Sequence, residues 1–212
     1  EELGTDANIL VDSGKTNKDG SFAIQSKATE ESLYRIKFER GKYILLAVKN
    51  GDNAQIAGDW NQLENYTVSG SAGSATLKGF LINLRENIKD IQTMQVILDS
   101  ISVKPKNDSL KKMAIDDLKN INAKFVAYVK KFADTTQSVA SALFAVNIIN
   151  PAYETPYITE FYQKVTKRFP ESKNAKVFSD KFLASVKNLP AAKPSDGTPA
   201  PDFSGITPEG SK

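Results

Sequence analysis

The chain has 212 residues, 40% hydrophobic and 25% charged, the proportions of a globular protein with a real buried core in one large or two small domains. With 28 basic and 25 acidic side chains the net charge is only +3, too weak to argue for a polyanion, so nucleic acid is not an expected partner. Cysteine and histidine are both absent, which excludes thiol nucleophiles, CxxC pairs, disulfides, Cys/His metal sites and imidazole general bases.

Composition therefore favours a binding, scaffolding or accessory role, and no catalytic residue, cofactor or metal is expected in the chain. No apolar run approaches the ~20 residues needed to cross a bilayer. The sequence opens on Glu1-Glu2-Leu3 without signal-peptide architecture, which reads as a removed leader or a fragment.

Residues 1–70 read as β structure. Ile9-Leu10-Val11 is a short apolar strand, and Thr16 to Gly20 supplies a turn. Ser21 to Ser26 alternates, placing Phe22 and Ile24 on one face, and Leu33 to Phe38 alternates as well. Arg40-Gly41-Lys42 turns the chain into Tyr43–Val48, whose unbroken apolar run predicts a strand covered on both sides. Gly51-Asp52 turns it again into Ala54–Ala57, and Asn65 to Ser69 is the last strand. Short strands joined by tight turns predict a small antiparallel β-sandwich or open barrel.

At Gly70 the hydrophobic period changes from 2 to 3.6. Leu77, Phe80, Leu81, Leu84, Ile88, Ile91, Leu98 and Ile101 form a helical stripe that Pro105 ends. Leu110 to Phe132 carries a second, started by Asn107, Asp108 or Ser109. Ser138 to Ile149 is almost wholly apolar and predicts the buried centre, stopped by Asn150-Pro151. Ile158 to Phe169 and Ala175 to Leu189 predict two more helices, ended by Pro170 and Pro190. Residues 71–190 thus form a helical segment of about five helices, and the fold class is α+β. Charge divides unevenly, with 8 basic and 11 acidic side chains in 1–70 against 18 and 11 in 71–190.

Several constellations mimic sites. Ser69-Gly70-Ser71-Ala72-Gly73-Ser74 leads from strand to helix like a phosphate cradle, but it lacks the Gly-Lys-Ser/Thr ending. A junction capped by Ser71 or Ser74 is the better reading. Asp12, Asn17, Asp19 and Asp52 have turn chemistry rather than calcium-loop spacing. The acidic pairs Glu30-Glu31 and Asp116-Asp117 read as solvated, and so do the lysines at 111, 112, 119, 130 and 131. Phe125, Tyr128 and Phe132 read as core. Asn65-Tyr66-Thr67 and Asn107-Asp108-Ser109 fit the glycosylation sequon, a triplet that chance supplies often. Trp60, in the polar loop Gly58-Asp59-Trp60-Asn61, reads first as a lid over the end of the sandwich; as an exposed anchor for a partner or sugar ring it is the chain's candidate partner-binding residue.

The last segment, 191–212, is rich in proline and glycine and reads as a linker or lead-in. Gly197-Thr198-Pro199-Ala200-Pro201-Asp202-Phe203, followed by Thr207-Pro208-Glu209-Gly210, resembles the opening of thioredoxin-like redoxin domains. TlpA/ResA-like thiol:disulfide oxidoreductases and AhpC/TSA-type proteins share that opening. Ala200, Pro201, Asp202 and Phe203 carry the match, and Ser211 is an extra residue before Lys212. Upstream, Asp19-Gly20-Ser21-Phe22, Gly51-Asp52, Val68-Ser69-Gly70-Ser71 and Phe169-Pro170-Glu171-Ser172 resemble the N-terminal module found in envelope versions of the family.

The resemblance implies a β module (1–70) and helical segment (71–190) placed before a thioredoxin-like domain whose C-x-x-C lies beyond Lys212. It also implies a location in a Gram-negative envelope, periplasmic or outer-membrane-anchored, with membrane contact only through a removed N-terminal anchor. The expected partners are that downstream domain and its substrate protein. The alternative is a stand-alone periplasmic or lipoprotein ligand-binding module using Trp60.

Overall fold

The computed structural model describes residues 1–5, 7–103 and 108–187. Six strands come first: β1 (Glu2–Leu3), β2 (Asn8–Ile9), β3 (Ser32–Lys37), β4 (Tyr43–Val48), β5 (Gln55–Ala57) and β6 (Thr67–Ser69). Five helices follow: α1 (Ala72–Ser102), α2 (Asp108–Thr135), α3 (Val139–Val146), α4 (Pro151–Arg168) and α5 (Lys173–Lys187). The fold is α+β as expected. Its β part is a four-stranded antiparallel sheet in the order β2-β1-β3-β4 beside a two-stranded β5-β6 ribbon, and it is not a closed barrel.

Strand β4 shows why an unbroken apolar run was needed. Ile44 and Leu46 point into a β core with Tyr34, Ile56 and Tyr66, which lies between the sheet and the ribbon. On the other face Leu45 and Ala47 meet Leu77 of α1 and Ala140 of α3. Its outer edge is sealed as well. Because Phe38 N donates to Lys42 O at the start of the β3–β4 ladder, Leu45 and Ala47 turn their backbone groups away from β3. The Tyr66 hydroxyl donates to Leu45 O at 2.8 Å, and Ser74 Oγ donates to Ala47 O at 2.9 Å. An edge with its carbonyls occupied is a poor template for another strand.

Two expected strands are corrected. Ser21–Ser26 joins no ladder, because turn groups take its backbone partners: Asn17 N donates to Ser21 O, and Gln25 N donates to the Asp12 carboxylate. Phe22 still packs, on Phe38, while Ile24 is exposed. Of the predicted strand Ile9-Leu10-Val11 only Ile9 pairs, together with Asn8 before it, and Leu10 is exposed beyond it.

The change to helix falls at Gly70, whose φ of 72° lies in the left-handed region. Helix α1 starts two residues later with Ser71 as its cap, accepting from Ser74 N at 3.3 Å. Along α1, Leu77, Phe80, Leu84, Asn87, Ile91, Met94, Leu98 and Ile101 repeat at alternating steps of three and four. Ala114, Leu118, Ile121, Phe125, Tyr128 and Phe132 do the same along α2. This is the seam of a two-helix coiled coil. Phe80, near the start of α1, stacks on Phe132 and Tyr128 near the end of α2 at 4.2 and 5.6 Å, so the helices are antiparallel.

The hairpin's near half joins the main helical core, where α3 is the buried centre as predicted. Its far half does not. No residue of 87–103 or 108–121 belongs to a core cluster among the described residues.

Helix α4 begins earlier than its apolar stripe, at Pro151 behind an Asn150 cap, and its first turn is kinked at Glu154, two residues before Pro156. The Glu154 carboxylate meets Lys130 of α2 at 2.6 Å. The lead-in motif at Ala200–Phe203, Pro105, Asn107, Leu189 and Pro190 lie outside the described residues.

Candidate functional site

Two places merit a functional reading: the surface around Trp60, and the junction where the sheet meets α1, α3 and α5.

Trp60 opens a 3-10 segment, Trp60–Asn65, that Asp59 caps by accepting from Asn61 N at 2.7 Å. The indole is 41% exposed. Its edge meets Phe38 at 6.0 Å between centroids, and Phe38 meets Phe22 at 5.8 Å, both nearly perpendicular. Lys42 folds its ammonium over the indole, 4.7 Å from the ring centroid, and donates to Trp60 O. Arg40, exposed in the β3–β4 turn, holds a φ of 58° that side-chain-bearing residues seldom adopt. The result is a small aromatic strip with a cationic rim, suited to contact rather than proton transfer.

Trp60 is thus neither a buried lid nor a free anchor: part of its ring packs and part faces solvent. It also does not line the open groove of about 510 Å³ between α4 and α5, which Gln163, Phe169, Ser172, Lys176 and Leu183 help to form.

The junction is built by the acidic pair expected to be solvated. That expectation is corrected, because both carboxylates are half-buried caps. Glu31 accepts from Val139 N at 2.8 Å, satisfying a free donor at the start of α3. Glu30 accepts from Ser172 Oγ at 2.7 Å and from Asn174 N at 3.1 Å at the start of α5. Ser172, from the Phe-Pro-Glu-Ser turn, accepts in turn from Ala175 N at 3.0 Å. Asn174 adds a bond to Ser32 Oγ at 3.0 Å. Adjacent residues at the entry to β3 therefore tie the sheet to two helices.

The other constellations resolve as turn and cap chemistry. Asp19 accepts from Ser21 N and Oγ, which holds its carboxyl below the usual range, and Asp12 is lowered by its bonds to Gln25 N and Ser13 N. Asp52 accepts from Ser71 Oγ at 2.7 Å, at the start of α1. Among the described residues no three acidic side chains converge as a metal site. Phe125, Tyr128 and Phe132 pack against the helical core as expected, and Asp116 and Asp117 are exposed.

Two perturbed groups lie beside the ribbon. Burial pushes Tyr66 up to about 12. Lys78, lowered chiefly by burial, sits 4.1 Å above the Tyr66 ring and donates to Glu64 O. Both serve packing, since each polar end is already used on a backbone carbonyl.

Comparison with protein-family models, with curated proteins and with solved structures returns no match for this chain.

Proposed function

We propose that the chain is the non-catalytic N-terminal region of an envelope thiol:disulfide oxidoreductase, where it positions the redox domain or selects that domain's substrate protein. The observation that carries this reading is the Ala200-Pro201-Asp202-Phe203 lead-in with Thr207-Pro208-Glu209-Gly210 after it. A chain without cysteine or histidine suits a supporting rather than a reacting part.

The geometry of α5 favours positioning. This helix, from which the chain runs on toward the lead-in, is capped by Glu30, bonded through Ser179 Oγ to Tyr162 O at 2.8 Å, and buried at Ala175. A fixed helix anchors the point from which the segment 188–212 leaves, which limits how far a domain attached beyond it can travel. Contact at Trp60, the ligand-binding reading, keeps the exposed indole in its favour.

The test is the reading frame past Lys212 and the activity of its complete product. The expected result is a strand followed by a C-x-x-C at a helix start, with catalysed reduction of insulin by dithiothreitol that the 212-residue chain alone lacks. A stop directly after Lys212, or a following domain without the cysteine pair, overturns the oxidoreductase reading and leaves ligand binding at Trp60.

A further inference from the structure

We infer that the far end of the α1–α2 hairpin is a self-association surface, and that its occupant is the same face of a second copy of this chain. The seam between the helices takes two positions in seven, the width that satisfies one partner helix. At the tip that stripe widens. Whereas one side of the hairpin carries Leu81, Ile88, Ile115 and Val129 beside the seam, on the other side the flanking position is polar for most of its length, at Asn83 and Asp90 on α1 and at Asp117 and Lys124 on α2. Toward the tip the same position becomes Ile97 on α1 and Leu110 on α2, with Met113 beside it.

The helices bring these residues together. Phe80 lies between Tyr128 and Phe132, and the same antiparallel register sets Ile97 level with Met113 and Ile101 level with Leu110. Helical spacing puts all of them on one side of the hairpin, with Met94. Both methionines of the chain therefore stand at this face, where an unbranched, polarisable side chain adapts to a partner. On α1 the stripe at the tip is three positions wide, as on a helix of a four-helix bundle, while on α2 Lys111 takes the seam position and Leu110 and Met113 carry the apolar surface beside it.

Two arguments select a second copy. Ile97, Leu110 and Met113 are 43, 52 and 60% exposed, and with Met94 and Ile101 they offer about 400 Å² of apolar surface. Since apolar atoms make up about 60% of an interface, two such faces imply roughly 1,300 Å² in total, inside the range of specific complexes. The centre of the face, between Ile97, Leu110 and Met113, also carries no charge, and only residues on a two-fold axis meet their own equivalents, so an axis passing here sets no like charges together.

The two methionines make the test direct. The chain, carrying 13C-methyl methionine, is followed by NMR and by analytical ultracentrifugation over a concentration series reaching roughly 1 mM, enough to populate even a weak complex with a Kd of about 100 μM. The expected result is that both methyl signals shift together as the weight-average mass climbs from 23.2 kDa toward twice that value. Ile97→Glu with Leu110→Glu, which keeps both reporters and changes only exposed positions, is expected to weaken association at least tenfold. Ile97→Gln, a milder change, gives an intermediate loss, and circular dichroism checks that both variants keep their helices. Constant mass and constant signals overturn the inference. So does association that survives the double variant, or methyl shifts that need lipid vesicles or another protein while the mass stays monomeric.

Discussion

The two halves of α1 form one continuous helix in different surroundings. In the first, Ser74, Leu77 and Phe80 are at most 1% exposed, pressed between the sheet, α2 and α3. In the second, none of Asn87 to Ile101 belongs to a core cluster among the described residues, and no side chain there is fully buried. Helix geometry is the same in both, so the difference lies in what tertiary packing adds. The first half is part of a platform that fixes α3 and α5; the second is an arm held by a single seam.

The largest expected effect comes from the platform. Phe80→Ala removes a ring stacked on Tyr128 and Phe132 and edge-on to Phe144, at a cost of about 3–5 kcal/mol. Urea unfolding measures it; a loss below about 1 kcal/mol means that the helical core does not hold the molecule together.

Two glycines of α1 sharpen the contrast. A Cβ on Gly73 sits 2.2 Å from Glu31 Oε1 and 2.8 Å from Ala47 O, whereas one on Gly79 meets nothing within 4 Å. Gly73→Ala must displace the clamp or the edge of β4, costing about 1–3 kcal/mol. Gly79→Ala gains up to about 1 kcal/mol from helix propensity alone. Opposite signs in the same melting assay are the expected outcome, and a neutral Gly73→Ala contradicts the close fit at the junction.

The smallest effect is electrostatic and lies where the chain enters β1, beside β3. Hydrogen bonds from Arg35 and Lys37 hold the Glu1 carboxyl at about 2, below its ordinary 4.5. A depressed acid stabilises the fold above its unfolded value, and that contribution is lost as pH falls from 4.5 through 2. An NMR titration with the Glu1 midpoint near 4.5 breaks the pairing.

Most of the architecture was legible because it follows from periodicity. Tyr43–Val48 reads as a doubly covered strand from its apolar run, and the switch at Gly70 reads from a change of period. Ser21–Ser26 misled for a specific reason: its alternation is real, but side chains and turns near it take the backbone partners a ladder needs. The Glu30-Glu31 clamp could not be read, since its partners lie 108 and 144 residues away. For Trp60, the polar loop favours a lid rather than an exposed anchor, and the ring is partly each. The Phe38 and Lys42 contacts depend on a β3–β4 turn folding back against it.

Native-state hydrogen exchange compares platform and arm in one experiment. Val139 N and Asn174 N, the donors to Glu31 and Glu30, are expected to exchange only with global unfolding, like the amides around Phe80. Amides of 92–102 and 112–118 are expected to exchange orders of magnitude faster under conditions that keep the chain monomeric. Val139 and Asn174 exchanging as early as the hairpin tip, with Phe80 and its neighbours still protected, would show that the sheet and the helices part before the core opens, and that α5 is not held in place.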